Sequence, residues 1–130
     1  MTTVLLDSHV LLWWSSDSKR LSKSAARLIL EADELAVASI TWFELAWLAQ
    51  HERISAPMPV RSWLEALADQ VRTASTTPAI AATAVSLPAS FPGDPADRLI
   101  YATAVEHGWR LVTKDERLRR HKHPRRITVW

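Results

Sequence analysis

The sequence contains no cysteine and only two glycines among its 130 residues. Without cysteine the chain can form neither disulfides nor thiolate metal sites, so any bound metal must be held by oxygen or imidazole ligands. The scarcity of glycine, together with the lack of repeats and low-complexity segments, favours a helix-rich globular chain. At this length we expect one domain, residues 1–130, able to bury a single sizeable core.

A long uninterrupted apolar run is also missing. The opening segment MTTVLLDSHVLLWW has no basic start, and Asp7, Ser8 and His9 interrupt its apolar residues. These features argue against a secretory signal and a membrane span. The absence of cysteine suits a reducing compartment, so we expect a soluble cytoplasmic protein with no membrane partner.

Short β-prone runs alternate with segments of helical periodicity along the chain. Strands are predicted at residues 3–6, 35–38, 75–77, 109–113 and 127–130. Helices are predicted at residues 22–33, 60–71, 78–87, 95–107 and 116–121, and after Ser39, where Ile40, Phe43, Trp47 and Leu48 recur at helical spacing. This alternation predicts an α/β fold with a mostly parallel central sheet and right-handed crossovers.

Acidic residues fall at the points where strands pass into helices. Asp7 follows the first strand, Glu44 lies early in the helix after the second, Asp94 and Asp97 open a helix, and Asp115 follows the strand at 109–113. The carboxyl ends of parallel strands share one edge, where such sheets bind ligands. We therefore expect these carboxylates to meet at that edge.

Each acid taken alone also fits a structural role, because carboxylates are favoured at helix N-termini. Residues 41–44 have the pattern of a capping box, and residues 94–97 that of a related cap. Taken together, acids without an obvious Lys or Arg partner would repel one another, and a divalent cation would relieve that repulsion.

The donor set indicates which cation and which chemistry to expect. Hard oxygen ligands favour Mg²⁺ or Mn²⁺, which can activate water and stabilise the charge that develops in phosphodiester hydrolysis. His9 is close enough to Asp7 in sequence to line such a site, although a lone histidine is more often an ordinary surface or core residue. Arg98 and Lys114, beside Asp97 and Asp115, are expected to form surface salt bridges.

Positive charge is concentrated at the end of the chain, although the net charge is only +2. Six basic residues crowd the last segment: Arg117, Arg119, Arg120, Lys122, Arg125 and Arg126. Such a cluster can guide phosphate backbones towards a site, or can simply be a solvated surface.

The segments LLDSH, ITWFEL, GDPADRLIYATA and LVTKD, in this order over the whole chain, resemble those of PIN-domain ribonucleases, specifically VapC-type toxins of bacterial toxin–antitoxin pairs. The resemblance implies a three-layer α/β/α fold and a site of Asp7, Glu44, Asp97 and Asp115 that binds Mg²⁺ or Mn²⁺. Asp94, one turn before Asp97, would bind the metal or cap the helix.

The same resemblance implies cleavage of RNA, with transfer RNA or a ribosomal RNA loop as substrate, a homodimer, and inhibition by a VapB-like antitoxin. The tryptophans at positions 13, 14, 42, 47 and 63 are numerous for one small core. We expect about half of them to fill the core and the rest to form a groove for an antitoxin helix or a dimer contact. An antitoxin arginine could then replace the cation's charge.

Two other functions fit parts of the pattern. A receiver-like module would use its acids to hold magnesium for phosphorylation, but such domains have an acidic pair directly after the first strand, where this chain has Asp7 and Ser8. A PIN-like module that binds RNA or a partner without cutting it would be expected to have an incomplete acidic set. Here the set is complete.

Overall fold

Five short parallel strands form one sheet in the computed structural model, which describes residues 1–121 and 125–130. The strands are β1 (Thr3–Leu6), β2 (Glu34–Ala38), β3 (Arg72–Ala74), β4 (Arg110–Val112) and β5 (Thr128–Val129). Their spatial order is β3-β2-β1-β4-β5, with Leu5 of β1 opposite Ala36 on one side and Leu111 on the other. The first strand therefore lies at the centre.

Seven α-helices connect or flank these strands. They are α1 (Ser8–Ser16), α2 (Lys23–Glu31), α3 (Ile40–Gln50), α4 (Val60–Ala68), α5 (Pro78–Ser86), α6 (Pro95–His107) and α7 (Glu116–Arg119), within the described ranges. Local sequence sets several ends: the Ser22 and Thr77 side chains accept hydrogen bonds from the first turns of α2 and α5. Gly108, with a φ of 70°, ends α6 in the left-handed conformation that favours glycine.

The sheet is buried on both faces, which produces three layers. In β1, Val4 and Leu6 point into one apolar cluster, which includes residues of α1, α2, α3 and α4, whereas Leu5 points into the other, with residues of α6 and α7. Full burial of each such side chain contributes about 1.5–3 kcal/mol. The predicted α/β/α fold with a parallel sheet is confirmed, and every strand pairing is parallel.

The largest difference from the predicted elements lies between α4 and α5. The third strand is Arg72–Ala74 rather than residues 75–77, and α4 ends at Ala68. The reason is register: Ala74 pairs with Ala38, the last residue of β2, so the strand must end there. The residues that follow lead to Thr77, which caps α5.

The helix α3 packs on a different face from the one its apolar periodicity marked. Phe43 and Trp47 are 66% and 43% exposed, whereas Thr41 and Leu45 are fully buried. The capping box at residues 41–44 is also wrong, because α3 begins one residue after Ser39 and Thr41 lies inside it. Trp13 and Trp63 are buried, as expected for about half of the tryptophans.

The order of the strands creates a crevice beside β1. The chain moves outward from β1 to β2 and β3, then returns so that β4 pairs with the opposite side of β1. In open α/β sheets this reversal leaves room for a ligand beyond the carboxyl ends of the two central strands. Among the described residues, no helix is both long and apolar enough to cross a membrane.

Candidate active site

Asp7 lies directly after β1 and is fixed by both central strands. Its Oδ1 accepts a hydrogen bond of 2.8 Å from the Ser8 backbone N–H, which caps α1. Its Oδ2 accepts a bond of 2.6 Å from the Oγ1 hydroxyl of Thr113, the residue that follows β4. Burial raises the pKa of Asp7, whereas the bonds from Thr113 and Ser8 oppose that rise. The carboxylate is therefore held in one orientation.

Glu44 reaches the same edge from α3. The Ser8 hydroxyl donates to its Oε1 at 2.6 Å, and the Ser8 Oγ lies 2.9 Å from the Oγ1 of the buried Thr41. Burial is the main cause that raises the pKa of Glu44, with the Ser8 bond acting in the opposite direction. Ser8 thus joins α1 to α3 and orients the second carboxylate.

Asp94 and Asp97 both belong to the start of α6 but play different local roles. Asp94 is exposed, and its Oδ1 accepts from the backbone N–H groups of Ala96 and Asp97 at 2.8 and 3.3 Å, as a helix cap. Asp97, one turn later, is only partly exposed. Burial, followed by the charges of Asp7, Asp94 and Asp115, raises the pKa of Asp97 to about 7.

Asp115 caps α7 and is tightly paired with Arg117. The Arg117 Nε and Nη2 groups donate to the two oxygens of Asp115 at 3.1 and 2.7 Å, and Nη2 also lies 3.2 Å from Oδ2 of Asp97. The hydrogen bond from the Arg117 side chain is the main cause that lowers the pKa of Asp115. One guanidinium therefore contacts two of the acids.

All five acids predicted from the sequence line one cleft of about 570 Å³. The cleft's other lining residues are Ser8, His9, Val10, Trp13, Lys114, Glu116 and Arg117. Within the described ranges, no three His, Cys, Asp or Glu side chains converge on one point as direct metal ligands. The donor set still fits Mg²⁺, which keeps several waters and binds through one or two carboxylates. The raised pKa of Asp97 marks the negative charge that a cation would neutralise.

Two basic residues next to the acids do not behave as predicted. The guanidinium of Arg98 donates to backbone carbonyls of the segment between α5 and α6, at 2.9 Å to Pro92 and 3.1 Å to Leu87. The Lys114 ammonium lies 5.8 Å from the ring centre of Trp13. In the part of the chain that the structure describes, neither forms a salt bridge, because Arg98 points inward to anchor a loop and Lys114 covers an indole.

Ser8, Thr113 and Arg117 contact the acids, and Thr41 contacts Ser8. None of these four residues was assigned such a contact from the sequence. Two of them carry a recognisable signal, because Ser8 and Thr113 are hydroxyl residues at the carboxyl ends of the two central strands. Arg117 also carries one, since an arginine two residues after an N-cap aspartate can fold back onto it. Thr41 carries none that we can identify.

The terminal arginines continue from this cleft onto the surface. Arg119, Arg120 and Arg126 line a shallow depression together with Glu116. A second cavity of about 440 Å³, lined by Ser90, Phe91, Pro92, Arg117, Arg120 and His121, adjoins the acidic cleft because Arg117 lines both. Lys122 lies outside the described residues. The basic cluster therefore borders the acidic one.

Comparison with known proteins decides the family. Residues 4–124 match the model of the PIN domain. The chain belongs to the PIN-domain family. It is 70% identical to Ribonuclease VapC22 of Mycobacterium tuberculosis over 130 residues, which cover all of both chains. The predicted resemblance is thereby confirmed, and this PIN-domain chain is a homologue of a VapC ribonuclease.

Solved structures show the same fold at lower identity. VapBC2 from Rickettsia felis bound to a promoter DNA fragment matches with a TM-score of 0.67 and 15% identity, over 92% of each chain. A toxin–antitoxin complex from Klebsiella pneumoniae matches with a TM-score of 0.64 and 23% identity, over 86% of each chain. The PIN-domain match favours a nuclease over the receiver-like alternative.

Proposed function

We propose that this chain is a metal-dependent endoribonuclease that acts in the cytoplasm as the toxin of a toxin–antitoxin pair. The observation that carries the proposal is the meeting of Asp7, Glu44, Asp97 and Asp115 in one cleft beyond the central strands. The full-length likeness to a relative named as a ribonuclease supports the same activity. Transfer RNA or a ribosomal RNA loop is the proposed substrate class.

The four carboxylates have different proposed roles because their surroundings differ. Asp7 and Asp97 are proposed as the main metal ligands, with Glu44 and Asp115 completing the set, directly or through water. A bound Mg²⁺ or Mn²⁺ would supply an activated water and neutralise charge on the phosphate. Thr113 and Ser8 orient Asp7 and Glu44, and Asp94 is proposed to act chiefly as the cap of α6.

The sharpest test of this proposal is Asp97→Asn, which removes one negative charge with almost no change in size. We expect loss of Mg²⁺-dependent RNA cleavage with the fold unchanged by circular dichroism. Asp69→Asn is the matched control, because Asp69 lies outside the cleft. Full cleavage by purified Asp97→Asn protein would contradict the assignment. Metal-dependent stabilisation of the unmodified chain without cleavage of any RNA would favour a PIN-like binding module instead.

A VapB-like antitoxin is the proposed protein partner. An apolar cavity of about 450 Å³ adjoins the acidic cleft and is lined in part by the exposed Phe43 and Trp47, with Glu44 and Asp94 shared between the two. An apolar helix seated there could direct an arginine to the carboxylates. A short protein with a DNA-binding N-terminus encoded next to this chain, which co-purifies with it and blocks cleavage, is the expected finding.

A homodimer is proposed from the resemblance to VapC-type toxins. Light scattering on the purified chain, across a range of concentrations, distinguishes a dimer from a monomer. Sequencing the ends that the enzyme creates in total RNA identifies the substrate, because a specific endonuclease leaves the same ends in every copy of its target.

A further inference from the structure

Arg117 occupies the solvent side of the acidic cleft. Its Nη2 lies 2.7 Å from Oδ2 of Asp115 and 3.2 Å from Oδ2 of Asp97, and its Nε lies 3.1 Å from the other oxygen of Asp115. The two carboxylate side chains are 15% and 24% exposed, and Arg117 is 59% exposed. The guanidinium therefore bridges acids from the starts of two different helices.

The guanidinium is not needed to complete α7. The backbone N–H of Arg117 already donates to Asp115 Oδ1 at 2.9 Å, which provides the helix cap. The side-chain bonds are additional, and one of them leaves α7 altogether to reach Asp97. Their direct effect is to supply positive charge to two acids that would otherwise repel each other.

A divalent cation and this guanidinium would require the same carboxylate oxygens. The two positive charges would repel each other across Asp97 and Asp115, so binding of the metal weakens the contacts of the guanidinium with these acids. A second position is available to the Arg117 side chain. Arg117 also lines the neighbouring cavity with Arg120 and the segment 90–92, and none of the five acids lines that cavity.

We propose that Arg117 is a built-in competitor for the divalent cation: it links Asp97 to Asp115 in the metal-free protein and must release Asp97 when the metal binds. This inference rests on the proposed metal-dependent function. The Arg117–Asp97 ion pair would then lower the affinity of the protein for the metal, because the ion pair must break each time the metal binds.

The test is a calorimetric titration of the metal-depleted full-length chain with Mn²⁺ alone, at neutral pH and about 0.15 M salt, where charges more than about 8 Å apart are screened. Arg117→Gln should bind Mn²⁺ about two- to fivefold more tightly, the range expected from removing a partly exposed ion pair that competes with the metal. Arg117→Lys, which keeps the charge but loses the bidentate geometry, should fall between Arg117→Gln and the unmodified chain.

Two matched controls separate this bond from general charge effects. Arg119→Gln removes the same charge from the same helix, and Lys114→Gln removes one from the lining of the same cleft. In the described residues neither Arg119 nor Lys114 has an ion pair with Asp97 or Asp115. Each control should change the Mn²⁺ dissociation constant by less than about twofold, because exposed charges are largely screened.

Thermal unfolding offers a second measurement that does not depend on activity. Arg117→Gln should lower Tm in the chelated protein and leave Tm unchanged at saturating Mn²⁺, because the bridge is present only without metal. Equal Mn²⁺ affinity for Arg117→Gln and the unmodified chain would overturn the inference alone. Weaker binding by Arg117→Gln would overturn it as well. Absence of Mn²⁺ binding by every protein would overturn the metal-dependent function together with it.

Discussion

Asp97 makes the stability of the metal-free protein depend on pH. In the fold, burial and the nearby charges of Asp7, Asp94 and Asp115 raise the pKa of Asp97 to about 7 from 3.8. Between these two values the folded chain keeps a proton on Asp97 that the unfolded chain has lost. Stability is therefore greatest below about pH 4 with respect to this group, and it falls as the pH rises through 7.

The size of the effect follows from the width of that window. Each pH unit corresponds to about 1.4 kcal/mol for one proton, and the window spans about three units. Because the Asp97 side chain keeps 15% of its surface exposed, solvent screening reduces the full value, and we expect a loss on the order of 2 to 4 kcal/mol. The raised pKa values of Asp7 and Glu44 act in the same direction.

Urea unfolding in EDTA, at a series of pH values from about 4.5 to 8, measures this loss of unfolding free energy. The slope of the free energy against pH should correspond to the release of about one proton per molecule. Asp97→Asn, which has no titratable group at that position, should be more stable than the unmodified chain at pH 8 and should show a flatter pH profile. Saturating Mg²⁺ should flatten the profile of the unmodified chain, since a bound cation favours the charged carboxylate. Parallel profiles for the two proteins would refute the electrostatic account of Asp97.

Two further predictions concern the residues around the acids. Thr113→Val should lower the free energy of unfolding by about 2 kcal/mol, because it removes the hydroxyl bonded to Asp7 and leaves a carboxylate oxygen unsatisfied. Thr113→Ser keeps the hydroxyl and should recover most of that loss in the same urea assay. If it does not, the loss comes from packing and not from the hydrogen bond. Reversal of Arg119, Arg120, Arg125 and Arg126 to Glu, in the Asp97→Asn background, should weaken RNA binding and flatten its dependence on salt. Unchanged affinity would identify these arginines as solvated surface, and reversal of Arg27 and Arg61, which lie outside the cleft, is the control.

The placement of the acids was predictable because it follows from chain direction and strand ends. Asp7 and Asp115 come after strands that the apolar runs marked, and parallel strands must deliver those positions to one edge. The order of the strands was not readable from the runs themselves, yet it decides that β1 and β4 are neighbours. The pairing of Thr113 with Asp7 depends on that order, which explains why the sequence did not reveal it.

The buried face of α3 was less predictable for a physical reason. Its apolar residues surround the whole helix, so periodicity does not select the face that packs inward. The tertiary contact of Thr41 with Ser8 helps to fix the choice, and it turns Phe43 and Trp47 outward beside the cleft. The inward face also packs Leu45 into the core, with Trp42, Leu48 and Ala49 against it, so apolar burial and the Ser8–Thr41 bond select the same face.

The double role of the acids explains how the fold tolerates them. Asp7, Asp94 and Asp115 each accept a backbone N–H at a helix start, where the helix dipole and the hydrogen bond both favour a carboxylate. Their capping and their grouping are therefore compatible, not alternative, explanations of the sequence. Asp97 is different, because it lies inside the first turn of α6. Within the described residues, the hydrogen-bond partner of its side chain is Arg117, which also donates to Asp115. It is consequently the acid on which the uncompensated charge of the cleft falls, and the one whose charge a cation would change most.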